Sequence, residues 1–183
     1  MVDIEWCCKQ KAGIKLGEPT DNVASGYVNL AENSLGTMNR EKEHNIVFSV
    51  SACYYAMYYS LYAILSKIGI KCEIHSCSIE LMDFFDYDSE DKNLLEKSFG
   101  IRNTLQYYVD KIIDEKEIDF IIDKSSAFVA KSREILENLN EEDIDAIRNK
   151  IKEIIKKSRQ SKDMTRGKDD DVNVKKGVVG DEE

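Results

Sequence analysis

The chain has 183 residues, 42% of them hydrophobic and 33% charged, and a formal net charge of −9. That length and hydrophobic content predict one domain with a single core, followed by a tail. The acidic balance argues against nonspecific binding to duplex nucleic acid, which depends on neutralising phosphates, although a small basic cleft remains compatible with it.

The apolar stretches and the cysteines indicate the compartment. The longest apolar run, residues 54–65, is rich in tyrosine and too short to span a bilayer. No basic segment followed by an apolar stretch stands at the N-terminus, so we expect no signal peptide, no membrane association and a cytoplasmic location. In that compartment we expect reduced thiols at all five cysteines, which are Cys7, Cys8, Cys53, Cys72 and Cys77.

Helical periodicity dominates the chain, whose only proline is Pro19. After a lead-in over residues 1–19, the first long helix is predicted over about 20–39 and the second over 45–68. The second helix is apolar on two faces, as a central helix is, and a second copy of the protein could cover one of them. Its tyrosines are predicted to form core and dimer interface, with base stacking as the alternative. They are Tyr54, Tyr55, Tyr58, Tyr59 and Tyr62.

Four further helices follow, and they make the predicted fold class all-α. They cover about residues 77–85, 92–113, 118–139 and 140–157. Asn140 and Asp143 resemble a capping pair for the last of them. From Ser158 onward aromatic residues vanish and charged and small residues dominate, so too little apolar surface is left to fold. We therefore predict a helical domain over 1–157 and a disordered charged tail over 158–183.

One face of the fourth predicted helix is a candidate binding site. Arg102 and Gln106 are four residues apart, as are Asn103 and Tyr107, so the two pairs form adjacent rows on one side of a helix. A cation, two amides and a phenol could hold a phosphate and stack a base. The alternative is an exposed helix face with a packed pair of tyrosines, Tyr107 and Tyr108.

The cysteines and histidines predict no metal site and no cofactor. Three potential zinc ligands lie within six residues, namely Cys72, His75 and Cys77. Their spacing is not that of a zinc finger, and a fourth ligand would have to come from distant Cys7 or Cys8. We expect His75 to organise the turn into the third helix. Cys53 is predicted to be a small buried hydrophobe, with a nucleophile pair between it and His75 as the alternative.

Three segments together resemble the HEPN-domain family, in its prokaryotic branch. The first runs from Trp6-Cys7 through G-I-K-L (13–16) to E-P-T-x-N (18–22). The second is the tyrosine-rich stretch 51–65, followed by Gly69 and E-I-H-S-C (73–77). The third is R-N-T-L-Q-Y-Y-V-D (102–110). The resemblance covers about residues 4–139 and rests on the order and spacing of all three segments.

The resemblance implies an up-and-down bundle of four to five main helices and a homodimer built on the second and fourth helices. Many members of the family are encoded beside a minimal nucleotidyltransferase and act in toxin–antitoxin or defence systems. Active members are metal-independent endoribonucleases. They use an arginine, a polar neighbour and a histidine four to six residues further on, and two copies of this motif meet across the dimer.

Arg102 and Asn103 match the first two positions of that motif, but the histidine position falls on Tyr107 or Tyr108. Histidine suits proton transfer near neutral pH, whereas a phenol, with an ordinary pKa of about 10, does not. The leading hypothesis is therefore a homodimeric module that binds nucleotide or RNA and pairs with a nucleotidyltransferase-type protein. Its binding residues are Arg102, Asn103, Gln106, Tyr107 and Tyr108. The alternatives are an endoribonuclease with Arg102 and His75 as catalytic candidates, and a helical scaffold without a ligand.

Overall fold

A computed structural model describes residues 2–108 and 110–174, with side chains as far as Gln160. The helices are α1 (Ile4–Lys9), α2 (Asp21–Glu41), α3 (Ile46–Lys67), α4 (His75–Glu80), α5 (Ser89–Tyr107), α6 (Glu115–Asn138) and α7 (Glu141–Val174), with a 3₁₀ turn over Leu81–Phe84. Two short strands, β1 (Lys15–Leu16) and β2 (Ile70–Lys71), pair antiparallel. The fold is an all-α helical bundle, as the sequence predicted.

Helix α3 occupies the centre of the bundle, where α2, α5 and α6 pack around it. Its two apolar faces explain this position, because a helix that is apolar nearly all round must be covered on both sides. The helix begins at Asn45, whose side-chain oxygen accepts a hydrogen bond from the Phe48 amide at 3.2 Å. It ends before Gly69, which has a φ of 71°. Both ends agree with the prediction.

Helix α5, the fourth helix predicted from the sequence, differs from its prediction at both ends. It starts at Ser89 because Asp88 and Asp91 form a capping box, with both reciprocal hydrogen bonds present. The predicted start, at about residue 92, is three residues too late. The helix ends at Tyr107 rather than near 113, since Tyr108 takes an extended conformation with φ −129° and ψ 92°. Arg102, Asn103, Gln106 and Tyr107 therefore lie in the last turn and a half of α5, and Tyr108 follows its end.

Helix α7 is longer than the sequence predicted. Asn140 and Asp143 cap its start as expected, with the Asp143 amide donating to the Asn140 side chain at 3.0 Å. The helix is described as far as Val174, beyond the predicted end at about Lys157. Residues 158–174 contain no proline and one glycine, so nothing in their local chemistry forces the helix to stop. The rest of the predicted disordered tail, 175–183, lies outside the described residues.

The N-terminal segment is attached to the bundle by a disulfide between Cys7 of α1 and Cys77 of α4. This corrects the prediction that all five cysteines are reduced thiols. The two cysteines are 70 residues apart in sequence. They meet because α1 packs over α4, with both sulfurs fully buried. Within the described part of the chain, no helix is long and apolar enough to cross a membrane.

Candidate functional site

A groove of about 400 Å³ lies between α4 and α5, next to the central helix. We call it the His75–Arg102 groove. It is lined by Ile74, His75, Ser76, Phe99, Arg102, Asn103 and Tyr107. The structure thus brings together three predicted binding residues of α5 and the histidine that begins α4. Sequence spacing could not show this, because Arg102 lies 27 residues after His75 and on a different helix.

The guanidinium of Arg102 is held between α3 and its own helix. One terminal nitrogen donates to the Tyr55 hydroxyl at 2.8 Å, and the other donates to the Asn103 side-chain oxygen at 2.7 Å. Its central carbon lies 5.3 Å from the centre of the Tyr55 ring and 5.9 Å from that of Tyr107. The Nε atom is buried and has no hydrogen-bond partner among the described residues. The positive charge of Arg102 is therefore held in position, and its guanidinium has N–H groups beyond those used in these two hydrogen bonds.

His75 is stacked inside a set of aromatic rings. Its imidazole lies parallel to the Tyr58 ring, with centroids 4.3 Å apart and an angle of 3° between the planes. The Phe99 ring is 5.7 Å away on α5. The Tyr54 hydroxyl is hydrogen-bonded to Nδ1. Burial, followed by the nearby charge of Arg102, lowers the pKa of His75 below its ordinary value, so the imidazole is neutral at pH 7.

The predicted dimer-interface tyrosines divide into two groups. Tyr54 is fully buried and Tyr58 is 6% exposed, so both belong to the core of one protomer and cannot contact a second copy. The prediction that these two tyrosines belong to a dimer interface is therefore corrected. Helices α4 and α5 of the same protomer already cover this face of α3. Burial also raises the pKa of both phenols, which stay protonated. The other three, Tyr55, Tyr59 and Tyr62, are half-buried.

Two predicted binding residues lie away from the groove. The Gln106 side chain donates to the Ser51 hydroxyl at 2.9 Å, on the α3 side of α5. Tyr108 is 51% exposed, and the ammonium of Lys111 lies 4.5 Å from its ring centre. Gln106 belongs to the row of Arg102, which neighbours the row of Asn103 and Tyr107. Tyr108 lies beyond the end of the helix. Arg102 lines the groove, whereas Gln106, one turn further along the same row, contacts α3.

The cysteines offer neither a nucleophile nor a ligand set near the groove. Cys77 is bonded to Cys7, which removes one of the three potential zinc ligands around His75. The Cys53 thiol is buried against the Ile121 carbonyl oxygen at 3.4 Å, and burial raises its pKa to about 12. This agrees with a small buried hydrophobe and does not support a nucleophile pair with His75. The described residues contain no cluster of three or more potential metal ligands.

A second groove, of about 590 Å³, lies between α2 and α3. Sequence analysis missed it, although Phe48 and Leu30 could have signalled it as apolar residues facing away from the core. Phe48 is 62% and Leu30 45% exposed. Tyr55 and Tyr59 form its wall on α3. The Tyr55 hydroxyl that accepts from Arg102 therefore connects this α2–α3 groove to the His75–Arg102 groove.

Comparison with known proteins gives no assignment: no protein-family model matches the chain, and no curated protein is significantly similar to it.

Proposed function

We propose that the protein is a nucleotide- or RNA-binding module of the HEPN type that uses the His75–Arg102 groove. The observation that carries this proposal is the convergence of Arg102, His75 and Tyr107 on one groove. A guanidinium is suited to phosphate oxygens, and a tyrosine ring is suited to a base. Tyr107 is 67% exposed, so its ring is accessible for stacking.

The charge distribution favours a short or single-stranded ligand. The net charge of −9 repels the closely spaced phosphates of a duplex, whereas one half-buried cation in a groove can hold one or two phosphates. By its resemblance to the family, the module would pair with a nucleotidyltransferase-type protein in a toxin–antitoxin or defence system. That pairing is part of the proposal and rests on the resemblance.

The proposal includes a homodimer formed through the α2–α3 groove. Phe48 and Leu30 expose apolar surface there, beside the half-buried Tyr55 and Tyr59. An exposed apolar groove of this kind is typical of an interaction site. We expect a dimeric mass at micromolar concentration by analytical ultracentrifugation and a monomeric mass for Phe48→Glu. Phe120→Glu, on α6, is the matched control, since Phe120 is 47% exposed and lies outside the groove. A monomeric wild type would exclude the dimer.

Binding is tested by fluorescence anisotropy with a labelled single-stranded oligoribonucleotide. Arg102→Ala should weaken binding by about tenfold to a hundredfold, because a hydrogen bond to a charged group contributes about 1.5–3 kcal/mol. Arg102→Lys should give an intermediate loss, since it keeps the charge without the planar fork. Arg133→Ala is the matched control: Arg133 pairs with Glu32 on the surface, outside the groove. Equal affinity of Arg102→Ala and wild type would overturn the proposal.

A second candidate function, endoribonuclease, is favoured by one observation. His75 lines the same groove as Arg102, so a histidine is present although it is missing from the end of α5. The anisotropy samples, incubated in EDTA and run on a denaturing gel, distinguish the two functions. Intact RNA is expected for a binding module. Cleavage that disappears in both Arg102→Ala and His75→Ala would instead establish the nuclease.

A further inference from the structure

Hydrogen bonds at the back of the His75–Arg102 groove decide which polar groups Arg102, Asn103 and His75 have left for a ligand. Arginine has donors only. The Asn103 side-chain oxygen accepts from Arg102 at 2.7 Å, and the amide NH₂ of Asn103 is left for other partners. The Nδ1 atom of His75 is bonded to the Tyr54 hydroxyl. Each of the three side chains is thus left with N–H groups, provided that the remaining imidazole nitrogen, Nε2, carries the proton.

The environment of Tyr54 decides where that proton is. The phenol is fully buried, and burial raises its pKa, so its hydroxyl keeps its hydrogen. Among the described residues its hydrogen-bond partner is Nδ1 of His75. If Nδ1 carried the proton and donated it, the phenol hydrogen would be left buried without an acceptor, which costs about 1–3 kcal/mol. The lower-energy arrangement has Tyr54 donating to Nδ1 and the imidazole proton on Nε2.

We infer that Tyr54 is a positioning residue that fixes His75 as its Nε2–H tautomer, so that His75, Arg102 and Asn103 all offer N–H donors and the groove selects the phosphate group of its ligand. This inference rests on the proposed function and deepens it. Tyr54 also contacts the cation, since the central carbon of Arg102 lies 5.9 Å from the centre of its ring. Tyr54 therefore contacts both the neutral donor and the charged donor of the groove.

The Nε2–H tautomer of His75 argues against the endoribonuclease function. An imidazole whose Nδ1 accepts from Tyr54 and whose Nε2 is protonated has no free lone pair with which to remove a proton from a 2′-hydroxyl. In this arrangement His75 binds an oxyanion and does not act as a general base.

The tautomer is measured by nitrogen-15 NMR of protein labelled at histidine. The chain has two histidines, so exposed His44 serves as the internal reference for His75. We expect a protonated Nε2 and an unprotonated Nδ1 at His75 in the wild type. Tyr54→Phe should populate the Nδ1–H form. Tyr58→Phe is the matched control, because it removes a hydroxyl from the ring that stacks on His75 but leaves Nδ1 bonded. An Nδ1–H tautomer in the wild type would overturn the inference without any need for a variant.

The ligand class is tested with adenosine monophosphate, adenosine and inorganic phosphate. Adenosine monophosphate should bind about tenfold or more tightly than adenosine, as expected for charge-assisted hydrogen bonds to phosphate, and Arg102→Ala should reduce the difference. Inorganic phosphate alone should shift the His75 resonances and leave those of His44 in place. Equal binding of adenosine and its monophosphate would overturn selection for phosphate while leaving nucleotide binding intact. Failure of all nucleotides and of the oligoribonucleotide to bind would overturn the proposed function itself.

Discussion

Replacing Gly69 by alanine is expected to destabilise the protein by about 3 kcal/mol or more, since two costs add at this position. The backbone φ is +71°, a left-handed conformation that side chains other than glycine rarely adopt. A Cβ here would also lie 2.6 Å from the Pro19 nitrogen and 2.7 Å from the Gly17 carbonyl oxygen. Both are backbone atoms, so neither can move aside cheaply.

The position matters for the site because Gly69 joins α3 to β2 and α4, the helix that carries His75. Arg148 of α7 reinforces the same turn by donating to the carbonyl oxygens of Gly17 and Ile68 at 3.0 and 2.6 Å. Urea denaturation followed by circular dichroism measures the change. Gly26→Ala in α2 is the matched control, because a Cβ there would meet no described atom within 4 Å. That substitution should be neutral or stabilising. If both variants unfold at the same urea concentration, the turn is not as tight as described.

Removal of the Cys7–Cys77 disulfide should cost about 4 kcal/mol, the entropy of closing a loop of this length in the unfolded chain. The two cysteines are 70 residues apart, so the bond greatly restricts the unfolded state. Helix α1 has six residues, too few to be stable in isolation, and depends on its contacts with the bundle. Cys7→Ser with Cys77→Ser should therefore lower the melting temperature and release α1.

Reduction provides the control for the disulfide. A reductant should destabilise the wild type by about as much as the double substitution does, and should leave the double variant unchanged. Alkylation of unfolded, unreduced protein should label three thiols, those of Cys8, Cys53 and Cys72. Labelling of all five before reduction would show that the bond is absent and that the prediction of reduced thiols was correct.

The sequence predicted the helices well where local chemistry sets their limits. Asn45 before the apolar run and Gly69 after it bound α3, and Asn140 with Asp143 starts α7. The prediction failed at helix ends that are marked by weaker sequence signals. Asp88 and Asp91 look like any acidic turn until their reciprocal hydrogen bonds are seen. The Cys7–Cys77 bond was unpredictable because it joins two elements whose proximity arises only on folding.

The candidate site was half predictable for the same reason. Arg102, Asn103 and Tyr107 could be grouped because helical spacing places them on neighbouring rows. His75 and Tyr54 belong to other helices, and their contact with the site is a consequence of packing around α3. The sequence placed Tyr54 at a dimer interface, since a tyrosine-rich helix with two apolar faces does not reveal which face its own protomer covers.

The location of bound RNA tests the proposed site most directly. An oligoribonucleotide containing 4-thiouridine can be photocrosslinked to the wild-type protein and the adducts mapped by mass spectrometry. We expect adducts on Tyr107 or Phe99, the aromatic residues of α5 in the groove, and their loss in Arg102→Ala. Adducts confined to residues outside the groove, such as Phe48 of the α2–α3 groove, would show that the His75–Arg102 groove is not where the ligand binds.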